Sequence, residues 1–403
     1  MMTKTRPAMR ATIANHEFRT VWLAEAQSVL GDQLTTVALS LTVYERTGSA
    51  LLGAVAYALT FLPALAGGLG LSHLADRYPR RTVLVVTALI QAVFVGAMAV
   101  PGIPLVPFCG FLVLARLAGS PSNAAQNALT REIFTDDELY LRSQDIRGIT
   151  TNTAQLLGLA GGGILVTTTG ASWALGIDAI TFAISAAALH RWVLARPAAG
   201  DGTGTWFGAI RWVATQRRLR VLLGLSWLVG LAVIPEGLVA PLAREIGAPD
   251  EAVGWLLAAD PLGFIVGVFL LSRYVSAEAR KAALGVLAVV PLVVLLAFAS
   301  KPSLGLALVI LAAAGAAGAY IVTVGATFIT WVPNDLRGGA GGLYRTGLRV
   351  SQGVGVAIGG VLAQWTGSAG AAITIAAAAG VVLGAPVAFS WTRVRHENRE
   401  AQV

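Results

Sequence analysis

AALGVLAVVPLVVLLAFA, residues Ala282 to Ala299, runs for eighteen positions without an acidic or basic side chain. As an α-helix rising about 1.5 Å per residue it would be roughly 27 Å long, close to the thickness of a bilayer's hydrocarbon core. Comparable runs recur along the whole chain, near 20–43, 50–73, 82–100, 103–124, 149–169, 173–193, 221–241, 252–272, 282–299, 303–329, 343–365 and 369–389. Only 12% of the residues are charged and 56% are hydrophobic. A water-facing surface needs roughly twice that charged fraction, so a soluble globular fold is excluded and a lipid-facing one expected. The reading is an all-α membrane protein with twelve transmembrane helices.

Short turn signals separate the runs: Thr47-Gly48-Ser49, Pro101-Gly102, Thr169-Gly170-Ala171, Lys301-Pro302 and Thr366-Gly367-Ser368. Turns this short imply antiparallel neighbours. With the N-terminus inside, the outer connections hold only Arg46, Arg244 and Lys301 as basic residues. The inner ones hold Lys4, Arg6, Arg10, Arg77, Arg80, Arg81, the Arg211 to Arg220 stretch, Arg273, Arg280, Lys281, Arg393, Arg395 and Arg399. Basic residues in short loops stay on the cytoplasmic side, so both termini are expected inside, in a bacterial inner membrane. The net charge of +8 is then a matter of topology and lipid headgroups, and no nucleic-acid partner is expected. The first apolar run is too long for a cleavable signal. A single cysteine, Cys109, excludes an intrachain disulfide, and no cluster suited to a metal is present.

The longest middle connection divides the chain into an expected N-terminal six-helix bundle at 1–194, a cytoplasmic linker at 195–219 and a C-terminal six-helix bundle at 220–403. An internal echo crosses that divide. Gly158, Gly162 and Gly163 in the fifth run correspond to Gly355, Gly359 and Gly360 in the eleventh at a constant offset of 197 residues, and each set is followed by a Thr-Gly turn. Glycines four apart share a helix face and let a neighbour approach closely, either as tight packing or as the sliding surface of gating helices in a duplicated transporter.

Charges inside the runs are costly and so informative. Glu25 and Asp32 lie seven residues apart in the first run, roughly on one face. Asp32 is the leading proton carrier, its alternative being a fixed ion pair; Glu25 is a second relay or the partner of a base. Arg116 stays charged and could hold Asp32 ionised in one state and release it in another. Asp178, Glu236 and Asp260 are candidate substrate or ion contacts, with structural hydrogen bonding as the alternative. Glu236 follows Pro235 and Asp260 precedes Pro261, where a helix break could expose carbonyls. Tyr57, Phe61, Asn123, Gln126, Asn127, Gln155, Trp227, Tyr320, Tyr344 and Gln352 could furnish a largely apolar cavity with scattered amides and aromatics.

The segment Ser72-His73-Leu74-Ala75-Asp76-Arg77-Tyr78-Pro79-Arg80-Arg81 resembles the cytoplasmic motif of the major facilitator superfamily, with Ser72 and Pro79 in place of its two glycines. Leu112 to Gly119, around Arg116, and Gly158 with Gly162-Gly163 are similar to two further motifs of that family, although Leu159 replaces the proline of the antiporter motif. The resemblance implies two pseudo-symmetric six-helix bundles, with Asp76, Arg77, Arg80 and Arg81 latching an inner gate. Gly31-Asp32-Gln33, Val43 to Ser49 and Gly176 to Phe182 look like the subgroup of bacterial macrolide-type drug and siderophore exporters. That implies proton-driven export of a small amphiphilic drug, siderophore or secondary metabolite by a monomer, with membrane lipids as its other partners. It also implies no enzymatic activity, and no cofactor beyond the proton gradient. The competing readings are a lysolipid or lipid flippase, a small-molecule importer, and a non-transporting sensor or assembly subunit.

Overall fold

The computed structural model describes residues 12–61, 77–197, 206–249, 251–333 and 336–400. Asp76 and the preceding part of the motif lie outside them. The described residues are helical with short connections. Eight helical segments among them are long and apolar enough to cross a membrane: Arg80–Met98, Leu105–Ile133, Ala171–Trp192, Arg217–Gly237, Ala252–Tyr274, Ala277–Ser300, Leu304–Thr330 and Ala369–Val394. The chain is therefore an all-α, multi-pass membrane protein.

In chain order the helices are α1 (His16–Thr47), α2 (Ala50–Leu59), α3 (Arg80–Met98), α4 (Leu105–Ile133), α5 (Asp137–Thr169) and α6 (Ala171–Trp192). They continue as α7 (Trp206–Thr215), α8 (Arg217–Trp227), the short α9 (Val229–Ala232), α10 (Ile234–Gly237) and α11 (Val239–Glu245), then α12 (Ala252–Tyr274) and α13 (Ala277–Leu295). The last are α14 (Leu304–Gly318), α15 (Tyr320–Thr330), α16 (Arg337–Thr366) and α17 (Ala369–Glu400). Helices α1, α5 and α16 have ample length, 32, 33 and 30 residues, but are more polar than the eight apolar spans. They carry many of the candidate residues.

Contacts divide the chain into two compact units, one within Met1–Leu39 and Leu65–Thr203, the other within Ser40–Ala64 and Gly204–Val403. In the first, α3 packs between α4 and α6, and α5 against α6. In the second, α12 packs on α14, α13 on α17, and α16 on α2 and α9. Leu222, Leu225, Leu284, Leu292, Val324, Phe328 and Trp391 form much of the second unit's core.

Each of the five expected turns contains a residue with positive φ: Gly48, Gly102, Gly170, Lys301 and Gly367. Glycine matters most at Gly170, where φ is 87° and ψ 152°, a region closed to residues with a Cβ. Side chains fix several helix starts by accepting a backbone N–H: Asn15 from Phe18 at 2.9 Å, Asp136 from Leu139 at 2.9 Å and Ser276 from Ala279 at 3.2 Å. The Glu245 carboxylate caps α17, accepting from Ala369 N–H at 2.6 Å and the Ser368 hydroxyl at 2.7 Å.

The segment expected as a cytoplasmic linker at 195–219 contains helix α7 and the start of α8. Two local expectations need correction. The fifth run begins twelve residues before 149, at Asp137, because charged side chains in its first turns find partners instead of ending the helix. Pro261 does not break α12. A Cβ on Gly315 would strike the backbone of Asp260, and one on Gly263 the backbone of Ala312, so α12 and α14 run in close contact that supports the helix across the missing hydrogen bond. Pro235 behaves as expected: the chain there is divided into α9, α10 and α11.

Candidate functional site

In the first unit, α1 presents different polar sets to different neighbours. Gln27, Gly31 and Thr35, spaced by four, face α6. Gln27 donates to Thr181 at 2.6 Å and accepts from Ser185 at 2.8 Å, while Thr35 donates to the Asp178 carboxylate at 3.0 Å. Asp178 is buried, and its carboxylate fills the space where a Cβ on Gly31 would stand. The small residue at 31 is thus what admits a carboxylate from α6.

Asp32 turns instead toward α4. Arg116 reaches its Oδ1 at 2.5 Å, donates to its backbone carbonyl and donates to Thr36 Oγ1 at 2.9 Å. The same guanidinium thus binds side chain and backbone of one turn of α1. The arginine side chain is 13% exposed and the aspartate 31%, so the pair is sheltered but not sealed. Asp32 and Arg116 both lie within electrostatic reach of Asp178. The direct contacts of that guanidinium are with Asp32 and Thr36.

Glu25 has a different partner, Arg147 of α5. Its carboxylate accepts from Nε at 2.5 Å and Nη2 at 2.7 Å, and Nη1 donates to Asn127 at 2.8 Å. Arg147 is almost fully buried and lies two positions before the expected start of the fifth run at 149, outside the candidate residues. A basic residue two positions outside a span, with an unpaired acid inside the first span, was the available signal. Asn123 is exposed, Gln126 buried and Gln155 half-buried.

The motif arginines are held within the first unit. Arg80 pairs with Glu132, and Arg81 donates to the His190 carbonyl. Glu132 is 4.0 Å from Arg196, which pairs with Glu17 at 2.5 Å. That hydrogen bond raises the Arg196 pKa further, so it is charged at every working pH. Arg77 is exposed.

The second unit holds its own acidic centre. Tyr57 of α2 donates to Glu236 of α10 at 2.6 Å, and its ring lies 5.8 Å from that of Phe61. Glu236 and Asp260 border one small cavity with Pro235, Val239, Leu256 and Leu311, and act on each other electrostatically. The cavity, about 10 Å³, has room for about one water. Arg349 of α16 lies over Phe61 at 6.0 Å and within electrostatic reach of Glu236. It sits inside the run read at 343–365 and could have been found there.

Tyr320 is buried and donates to the Leu225 carbonyl at 2.8 Å, and Tyr344 packs against Phe328 at 5.2 Å. Trp227 is half exposed, and the Gln352 amide oxygen is buried without a hydrogen-bond partner. The echoed glycines sit at close crossings. A Cβ on Gly158 would meet Leu30 and Gln33 of α1, and one on Gly162 would meet Leu34 and Val37. In the second unit Gly355 faces Gly230, Gly359 faces Ile234, and Gly360 faces Leu51 and Ala54. Gly163 is buried. No group of metal-binding side chains occurs among the described residues.

Long apolar helices sheltering paired carboxylates and guanidiniums define a polytopic membrane protein with charged groups inside its spans. The sequence matches the Major Facilitator Superfamily over residues 21–235 and 222–403, and the chain belongs to that family. It is a carrier and not an enzyme. The fold is similar to that of a bacterial homologue of the human lysosomal transporter Spinster, in an inward-facing and unoccupied conformation, with TM-score 0.75 and 15% identity over 96% of this chain and 97% of that one. It is also similar to the nucleoside transporter NupG, with TM-score 0.72 and 15% identity over 94% and 99% of the two chains. PepTSo, a transporter of the POT family, gives 0.77 and 11% over 95% and 99%. No curated protein sequence matches significantly.

Proposed function

We propose that this protein is a proton-coupled secondary transporter of a small molecule, with twelve spans in two six-helix bundles, working by alternating access in a bacterial inner membrane with both termini cytoplasmic. The observation that carries the coupling is the Asp32–Arg116 pair, in which one guanidinium grips the carboxylate and the backbone of the same helical turn. Protonating Asp32 removes the charge that holds Arg116 and leaves the guanidinium to Asp178 or to solvent. A change of partner at the α1–α4 contact is the kind of two-state element through which proton binding biases one conformation over the other. The close glycine crossings of α5 on α1 and of α16 on α9 and α10 supply surfaces along which such helices can shift. Arg80 and Arg81, held by Glu132 and His190, with Arg77 and Asp76, form the inner latch in this reading.

Uptake is favoured over export. The export reading rests on a sequence resemblance to one subgroup, whereas the similar folds include a nucleoside transporter, a POT-family transporter and a bacterial homologue of a lysosomal transporter. The second unit's Tyr57, Glu236, Asp260 and Arg349 also suit a substrate with polar groups better than a purely oily one.

Reconstituted vesicles with an imposed pH gradient, acidic outside, test both points, using a radiolabelled nucleoside and a cationic dye as probes. Asp32→Asn should abolish gradient-driven accumulation while leaving exchange across a gradient-free membrane. Undiminished gradient-driven flux in that variant would remove Asp32 from the role. Accumulation only when the acidic side is the one facing the cytoplasmic loops would reverse the direction.

A further inference from the structure

The second unit has a feature that its central carboxylates do not use. A groove of about 340 Å³ lies between α8 and α17, lined by Arg217, Arg220, Val221, Gly224, Pro386, Val387 and Ser390. Its composition is graded along the helices. Arg217 is the first residue of an apolar span, and Arg220 lies one turn further in on the same face. Arg218, between them, turns away and stacks over Trp331 at 5.5 Å. Below the two guanidiniums the walls are Val221, Gly224, Pro386 and Val387.

The partner helix reaches the same level from the other direction. The apolar run of α17 gives way at the same level to Ser390, Thr392, Arg393 and Arg395. Arg217 and Ser390 therefore stand where two spans leave the hydrocarbon. The Ser390 hydroxyl donates to the Pro386 carbonyl at 2.8 Å, and its oxygen can still accept there. Gly224 permits the close approach that forms the floor, since a Cβ there would come within 3.1 Å of Val387. No acidic side chain lines the groove among the described residues.

We propose that this groove is a binding site for an anionic phospholipid, with Arg217 and Arg220 holding the phosphate and the valine and proline walls receiving the first part of an acyl chain. Charge complementarity selects an anion. The position at the end of two spans, and apolar walls running inward from the charged rim, select a lipid over a free anion. A diacylglycerol phosphate presents its charge and its chains in that vertical order, whereas inorganic phosphate would leave the apolar walls empty. Guanidiniums suit the phosphate because their paired N–H groups match its oxygens. The site stands apart from the transport chemistry and survives if the coupling proposal fails.

Native mass spectrometry of the purified full chain tests it, with phosphatidylglycerol and phosphatidylcholine as probes. The wild type should retain phosphatidylglycerol and not phosphatidylcholine. The variant R217Q/R220Q should bind one fewer phosphatidylglycerol, with that site's affinity reduced about thirty-fold, the combined contribution of two basic residues at a charged membrane surface. R217K/R220K should recover much of the loss, and Arg273→Gln, at an exposed position elsewhere in the unit, should change nothing. Phosphatidylglycerol should raise the thermal midpoint of the wild type but not of R217Q/R220Q, a readout on folded protein. Equal phosphatidylglycerol retention by wild type and R217Q/R220Q would overturn the proposal. So would equal retention of phosphatidylcholine by the wild type, or complete displacement of the lipid by millimolar inorganic phosphate, which would make the groove a simple anion site.

Discussion

The two units solve the same problem, an acid inside a helical membrane protein, in different ways. In the first, Arg116 pairs with Asp32 and donates to Thr36, while Asp178 is held by the hydroxyls of Thr35 and Thr181. In the second, Glu236 is bonded by a phenol, Asp260 faces the same small cavity, and Arg349 acts at longer range. The first centres on a direct ionic contact at 2.5 Å. In the second, the two acids border a cavity of about 10 Å³, room for about one water. On that contrast rests our proposal that the first centre is the coupling switch and the second the substrate contact.

The comparison breaks most visibly at Arg116. Removing one member of a sheltered pair strands the other, and Arg116→Leu should destabilise the protein by about 3 kcal/mol, the low end of the range because Asp32 keeps some access to water. A large drop in thermal midpoint in detergent is expected, partly restored in Arg116→Leu/Asp32→Asn. If the single variant melts like the wild type, the pair is not holding α1 to α4. Next comes Gly31→Ala, whose methyl would overlap the Asp178 carboxylate. It should cost about 2 kcal/mol through overpacking. Combining it with Asp178→Ala should relieve the steric part, and purely additive losses would contradict that contact.

The outcome of reading the chain from sequence follows the same divide. Apolar runs and glycine turns were legible because they depend on local composition: Gly170 and Gly367 end their helices where the Thr-Gly pairs place them. The glycines at 158, 162, 355 and 359 also announced close helix crossings, since spacing by four fixes a face without knowledge of the neighbour. Partners were not legible. Arg147 looked like a loop residue because charge density around 137–148 mimics a connection, and only its contact with Glu25 explains a helix there. Asp178 is expected as a substrate contact or a structural hydrogen-bonding group, and that Gly31, 147 positions earlier, makes room for it is not visible in either run. The intact helix at Pro261 likewise depends on α14, whose small residues are distant in sequence. What tertiary contact decides cannot be read from a single run.

The second centre is sharpened by Tyr57→Phe. The change removes only the hydroxyl that donates to Glu236, and should cost about 1.5 kcal/mol, the scale of a hydrogen bond to a charged group. If Glu236 contacts substrate, the probe's KM should change more than its maximal rate, because an orienting contact is lost and the switch at Asp32 is untouched. An equal fall in rate with unchanged KM would move Glu236 from substrate binding to the conformational step.

The smallest effect compares the echoed turns directly. Gly367 has φ 67° and ψ 11°, a left-handed conformation that other residues adopt at modest cost, whereas Gly170 has φ 87° and ψ 152°, which is nearly exclusive to glycine. Nothing lies within 4 Å of a Cβ added at either position, so backbone strain is the only term that differs. Gly170→Ala should therefore lower the thermal midpoint more than Gly367→Ala, by the equivalent of about 1 kcal/mol. Equal shifts would mean that the two repeats end their glycine helices in the same backbone conformation, and that the difference between the units begins only at their charged centres.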